Sequence, residues 1–146
     1  MNKKIKYQKK VYIAGKIGTQ SEREILEKIS KLCEKLGFRT FLPHRDVGLA
    51  QGLKDIKRIF KGDIEIGLKD TDLVVAVLDG LHVGAGTSWE LGYAYAKKIP
   101  AIGIKTDESL EDALEYLSSI LICSMPIVKS LEELEKKIKS MFNQAA

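Results

Sequence analysis

The stretch most capable of chemistry in this 146-residue chain is Asp79-Gly-Leu-His-Val-Gly-Ala-Gly-Thr-Ser-Trp-Glu90, a glycine-rich loop that runs into a carboxylate. It follows a wholly apolar run at residues 73–78 and opens a helix predicted over about 87–98. Free backbone N–H groups at Gly86 and Thr87 would favour an anion such as a phosphate. Glu90 then falls in the first helical turn, where the helix dipole favours a carboxylate and keeps it ionised. An ionised carboxylate in a cleft can act as a nucleophile or a base, but not as a proton donor. The spacing Thr87-x-x-Glu90 is also that of a capping box, in which Glu90 would only satisfy the backbone at the helix start. Spacing alone leaves both readings open. Trp89 and Tyr93 read as core packing or as a wall for an aromatic ligand. Gly15 and Lys16, after the first apolar run, form a second candidate loop. His44 after Pro43 is a ligand contact or a surface histidine, and Asp79 a ligand contact or a turn residue beside Gly80.

These loops need elements to place them. Apolar runs at 10–15, 38–42, 73–78 and 100–104 predict strands, and 120–123 a fifth. Between them lie helical segments at 21–36, somewhere within 51–69, at 87–98 and at 109–117, with a closing helix at 130–142. Ser21 with Glu24 and Ser130 with Glu133 have capping-box spacing, and Gly37 supplies a helix stop. Residues 44–48 read as a loop. The 73–78 strand is apolar at every position, as expected of a central parallel strand covered on both faces. Repeated strand–helix alternation predicts an α/β, flavodoxin-like three-layer sandwich with a five-stranded parallel sheet in the order 2-1-3-4-5. Its switch point lies between strands 1 and 3, so the ligand site forms from the loops after Gly15 and Leu78.

Composition narrows the classes. A mass of 16.3 kDa suits one domain, expected over 10–146 behind a flexible basic tail at 1–9. The net charge of +4 comes from that tail: the first ten residues hold five lysines and no acid, and the rest of the chain is nearly neutral. This argues against a specific nucleic-acid face. No apolar run has the roughly 20 residues of a membrane span, and no signal-peptide pattern follows the lysines. A cytoplasmic location is expected, with Cys33 and Cys123 as two buried thiols. Two cysteines and two histidines without close spacing make a poor metal set. No Walker motif, dinucleotide fingerprint or Gly-x-Ser-x-Gly elbow occurs. Ala14-Gly15 replaces the acidic residues that a phosphoacceptor domain needs after strand 1.

Three segments, 11–15 (Val-Tyr-Ile-Ala-Gly), 72–80 (Asp-Leu-Val-Val-Ala-Val-Leu-Asp-Gly) and above all 86–94 (Gly-Thr-Ser-Trp-Glu-Leu-Gly-Tyr-Ala), resemble the nucleoside 2-deoxyribosyltransferase family. The family includes transferases acting on nucleosides and hydrolases acting on 2'-deoxynucleoside 5'-monophosphates. The resemblance implies a covalent double displacement, akin to retaining glycoside hydrolysis. Glu90 matches the nucleophile that attacks C1' of the deoxyribose, Tyr12 a tyrosine beside it, and Asp63 an aspartate serving the leaving base. Many nucleoside-acting members carry an aspartate where this chain has Gly84. Its loss, with Gly15-Lys16 and the helix start at Gly86, favours a 5'-phosphate. Ser118 matches a serine of the monophosphate hydrolases. The resemblance further implies a homodimer or larger homo-oligomer, a small-molecule deoxynucleoside or deoxynucleotide as substrate, and no metal or organic cofactor. Two other readings stand beside it: a non-catalytic nucleotide-binding or sensing module, and an N-glycosidase acting on ribonucleotides or modified nucleotides.

Overall fold

The computed structural model describes residues 8–142. Residues 1–7 of the expected basic tail lie outside the described residues. Its last two residues rest on the fold: Gln8 Nε2 donates to Gly37 O at 3.1 Å, and Lys9 Nζ sits 4.7 Å from the centre of the Phe142 ring.

The strands are β1 (Lys10–Ala14), β2 (Arg39–Phe41), β3 (Leu73–Val77), β4 (Ala101–Ile104) and β5 (Ile127–Val128). They form one parallel sheet in the order β2-β1-β3-β4-β5, the flavodoxin-like order expected from the sequence. The helices are α1 (Gln20–Lys35), α2 (Pro43–Asp46), α3 (Ile56–Phe60), α4 (Ala85–Ala96), α5 (Leu110–Ala113), α6 (Ser119–Ser124) and α7 (Leu131–Met141). A 3-10 turn at Leu53–Asp55 precedes α3, and a π-helical stretch at Lys61–Leu68 continues it.

Successive side chains of a strand point to opposite faces, so each inner strand feeds two cores. Val11, Ile13, Leu73 and Val75 pack with Leu26, Ile29 and Cys33 of α1 and with Leu134 and Ile138 of α7. Tyr12, Ala14, Val74 and Ala76 face the other way, toward Leu68 of the π-helix and Leu91 and Ala94 of α4. Tyr12 therefore lies on the α4 side of the sheet, at the switch-point strand.

Several expectations are corrected. The 120–123 run is helical, within α6, and β5 comes later at Ile127–Val128. Short apolar runs do not distinguish helix from strand by period, and Ser118 Oγ caps this one by accepting from Ile120 N. The capping box of α1 is Thr19 with Glu22, two residues before the predicted pair. Residues 44–48 fall largely in α2, and α5 covers only part of 109–117. Cys33 is buried, and burial pushes its thiol up to about 12, but Cys123 is exposed on α6.

Candidate active site

Three elements bring the candidate catalytic residues together. β1 supplies Tyr12, which is fully buried and stacks on Phe41 of β2 at 5.5 Å between ring centres, 9° from parallel. The π-helix supplies Asp63. It lies close to the sheet because two glycines face the wall. A Cβ on Gly62 would stand 2.6 Å from Val47 Cγ1, and one on Gly67 would enter the Phe41 ring. π-Helical turns are uncommon and concentrate at functional sites. The third residue, Glu90, comes from α4.

A cleft of about 480 Å³ opens between the π-helix and α4. Asp63 and Glu90 line it, with Gly86 and Ala85 at the start of α4 and Ala50, Ile56, Ile59, Phe60, Ile64 and Trp89 as apolar wall. Trp89 meets Phe60 edge-on at 6.2 Å and stacks on Tyr93 at 6.0 Å. Half-exposed, Trp89 is a rim residue and not core. Among the described residues, four buried polar side-chain atoms lack a hydrogen-bond partner. Three of them are Tyr12 Oη, Asp63 Oδ1 and Glu90 Oε2. Buried polar groups are normally paired; Asp63 and Glu90 line the cleft, while Tyr12 is buried and acts on it through Glu90, an arrangement that makes this the candidate site. The fourth is His44 Nδ1, elsewhere.

Electrostatics bind the three into a unit. Burial raises Glu90 to about 7; the Tyr12 hydroxyl opposes this and the Asp63 charge adds to it. Asp63 rises to about 6, chiefly by burial, with Arg58 pulling the other way. Tyr12 is raised far above the usual phenol range by burial and by Glu90. The Tyr12 hydroxyl and Glu90 thus influence each other directly, although Tyr12 Oη and Glu90 Oε2 make no hydrogen bond of full geometry.

This corrects the expected charge state of Glu90. Helix α4 begins at Ala85, so Glu90 sits in its second turn, beyond the strongest part of the dipole. Desolvation prevails and Glu90 titrates near neutrality. The capping-box alternative also fails: Gly84 is the N-cap, and no side-chain bond caps α4. A stability prediction follows. Both carboxyls bind protons more tightly in the native state, so folding stability falls as pH rises from about 4 through 7. Replacing Glu90 by glutamine should leave stability unchanged below pH 4.5. Above pH 7 it should raise stability by up to about 3 kcal/mol. Denaturant midpoints measured across this range check it.

The other sequence candidates divide. Gly86 lies one turn before Glu90 on α4, where a Cβ would stand 3.9 Å from Glu90 Oε1. Lys16 runs beside Gly84 and Gly80: Cβ atoms there would lie 3.1 Å from Lys16 Cγ and 2.8 Å from Lys16 Nζ. Lys16 and Asp79 also line a separate hollow of about 230 Å³ against Ser21, Glu22 and Ile25 of α1. Gly15 packs under α1, with room only for Leu26. Thr87 is buried within α4.

Three candidates are engaged outside the cleft. The His44 ring meets Glu27 of α1 at 3.1 Å, and Ser118 caps α6. Asp79 accepts from Thr106 N at 2.7 Å and Thr106 Oγ1 at 2.6 Å. Asp107 in turn accepts from Gly80 N at 2.7 Å, and buried Lys105 bonds Leu78 O and Asp107. This clamp fixes the start of the β3–α4 loop to the end of β4. Sequence reasoning missed Lys105, which reads as a strand end. It also missed Phe60, although an aromatic three residues before Asp63 was a usable signal.

A parallel sheet in this order with helices on both faces defines a doubly wound α/β protein, and Asp63, Glu90 and Tyr12 form its candidate site. The chain belongs to the nucleoside 2-deoxyribosyltransferase family, whose model matches residues 11–122. Among solved structures, a conserved protein from Enterococcus faecalis V583 is similar at 27% identity, with a TM-score of 0.78 over 92% of this chain and 99% of that one. The 2-deoxyribosyltransferase from Bacillus psychrosaccharolyticus shares the fold at 19% identity and TM-score 0.69, over 86% of this chain and 90% of its own. The CMP N-glycosidase from Clostridium botulinum does so at 18% identity and TM-score 0.60, over 90% and 99%. No curated protein matches in sequence. Among the described residues no helix is long and apolar enough to cross a membrane, and no group of three His, Cys, Asp or Glu is placed to hold a metal ion.

Proposed function

We propose that this protein cleaves the N-glycosidic bond of 2'-deoxynucleosides or their 5'-monophosphates through a covalent deoxyribosyl–Glu90 ester. The observation that carries this reading is the convergence of three orphaned polar atoms, Tyr12 Oη, Asp63 Oδ1 and Glu90 Oε2, from three different elements. Ionised Glu90 attacks C1' as the base departs, and Asp63 gives its proton to the leaving base. A second base or water then attacks C1'. Asp63 takes the proton of that acceptor, and Glu90 is released as a carboxylate. Tyr12 orients the Glu90 carboxylate. The chemistry needs one proton on the pair, held by Asp63. With Glu90 near 7 and Asp63 near 6, the free protein holds that proton mainly on Glu90, so the reacting form is the minor one in which the proton has moved to Asp63.

Lys16, Gly84 and the start of α4 support a 5'-monophosphate substrate. Lys16 lays its aliphatic stem against Gly84, the N-cap of α4, and sets its ammonium beside Gly80, and glycine at 84 adds no negative charge. In the assembly we infer, a homodimer acting in the cytoplasm, Ser118 serves a neighbour's site, since it caps α6 away from its own cleft. The groove of about 360 Å³ between α4 and α6, flanked by exposed Tyr95 and Ile120, is the face for that contact.

The test is incubation with dCMP and dGMP and with their unphosphorylated forms, followed by chromatography for free base. Free base is expected, faster from the monophosphates, and adding a second base separates transfer from hydrolysis. Nucleotide binding without release of base would overturn the reading in favour of a non-catalytic module.

A further inference from the structure

The segment 47–52 reaches the cleft through Ala50, and the turn of helix beneath it holds it in place. Arg58 of α3 donates from Nη1 to Val47 O at 2.5 Å and reaches Leu49 O from Nη2 at 3.5 Å. Asp55, one turn earlier, accepts from Gln51 N at 2.8 Å and lies 3.6 Å from the Arg58 guanidinium. Backbone groups on both sides of Ala50, which lines the cleft, are therefore tied to α3. Val47 in turn packs directly on Gly62, the residue before Asp63. A forked, permanently charged guanidinium suits such a double carbonyl contact, and lysine reproduces its charge but not its fork.

We propose that Arg58 is a positioning residue of the proposed reaction: it pins the 47–50 wall against the Asp63 helix and keeps a positive charge on that side of the cleft. The inference rests on the reading of Asp63 as proton donor. The groups that act on Asp63 bear this out in kind. Tyr12 from β1 is a neutral phenol, Glu90 from α4 is a carboxyl group, and Arg58 is the cation that acts on Asp63. It opposes the upward push of burial, so that Asp63 surrenders its proton to a departing base more readily than an unopposed buried carboxyl would.

The experiment compares Arg58→Lys and Arg58→Met in the full chain, with folding checked by circular dichroism. Half of the Arg58 side chain is exposed, and Asp55, which loses its cation in Arg58→Met, keeps the Gln51 N–H. Two quantities are read: titration of the Asp63 carboxyl by carbon NMR and the pH profile of base release. Arg58→Met should move the Asp63 titration upward by about half a pH unit, the scale expected of a half-exposed charge. The alkaline limb of kcat/KM should move with it. Arg58→Lys should leave the titration in place while raising KM, because the wall loses its two carbonyl ties. An unmoved titration in Arg58→Met, or an equal shift in both variants, would overturn the proposal. The NMR reading is independent of turnover. A shifted titration in a protein that releases no base would sink the catalytic reading and leave the Arg58 assignment standing.

Discussion

Glu90→Ala is expected to lower base release by roughly 10⁴-fold or more, the scale seen when a covalent nucleophile is removed. The protein should stay folded. Glu90 makes no hydrogen bond of full geometry through Oε2, and its burial already works against its charge. Its loss therefore removes a desolvated carboxyl and not a structural tie. The contrast between lost turnover and kept stability identifies a functional carboxylate. A helix cap would give the opposite pattern, with a stability loss of about 1 kcal/mol and no defined kinetic effect. Full activity in Glu90→Ala, measured as free base from dCMP or dGMP, would end the nucleophile assignment.

Asp63→Asn should cost about 10²- to 10⁴-fold with natural bases, the usual range for a general acid. The loss should nearly vanish with a deoxyriboside bearing a nitrophenolate leaving group, which departs without a proton. Asparagine keeps the shape of the side chain and cannot supply the proton, so the pair of substrates isolates proton transfer from packing. The alkaline limb of the pH profile that reports Asp63, near 6 in the free protein, should also disappear. Equal losses on both substrates would point to a binding role for Asp63.

Much of this arrangement was legible in the sequence. The β3 run and the alternating segments around it define the parallel order; of the two loops expected to form the site, the one after β3 reaches the cleft where it enters α4, at Ala85 and Gly86, and the one after β1 does not. Tyr12, Asp63 and Glu90 came from the family resemblance, and the fold does bring all three to one place. What escaped was set by contacts distant in sequence. The ionisation of Glu90 depends on how far α4 extends before it and on what covers it, neither of which a motif records. The π-helical turns at Asp63 depend on Gly62 and Gly67 meeting Val47 and Phe41. In the sequence those glycines only blurred the ends of a helix. Asp79 stands in the right loop but is occupied by Thr106, a partner 27 residues away. The 120–123 run failed for a local reason, since four apolar-rich residues fit either period.

The alternation in β1 carries one last consequence. Val11 and Ile13 belong to one core and Tyr12 to the other, so the phenol owes its place to a count of residues as much as to its identity. Inserting or deleting one residue ahead of Tyr12 within the strand would turn the ring through the sheet, toward α1 and α7, and empty the floor beneath Glu90. Descendants of this chain can therefore vary β1 by exchange of side chains but not by change of length. The exposed tip at Leu81, beyond the clamp, has no such parity to keep and is where length can drift.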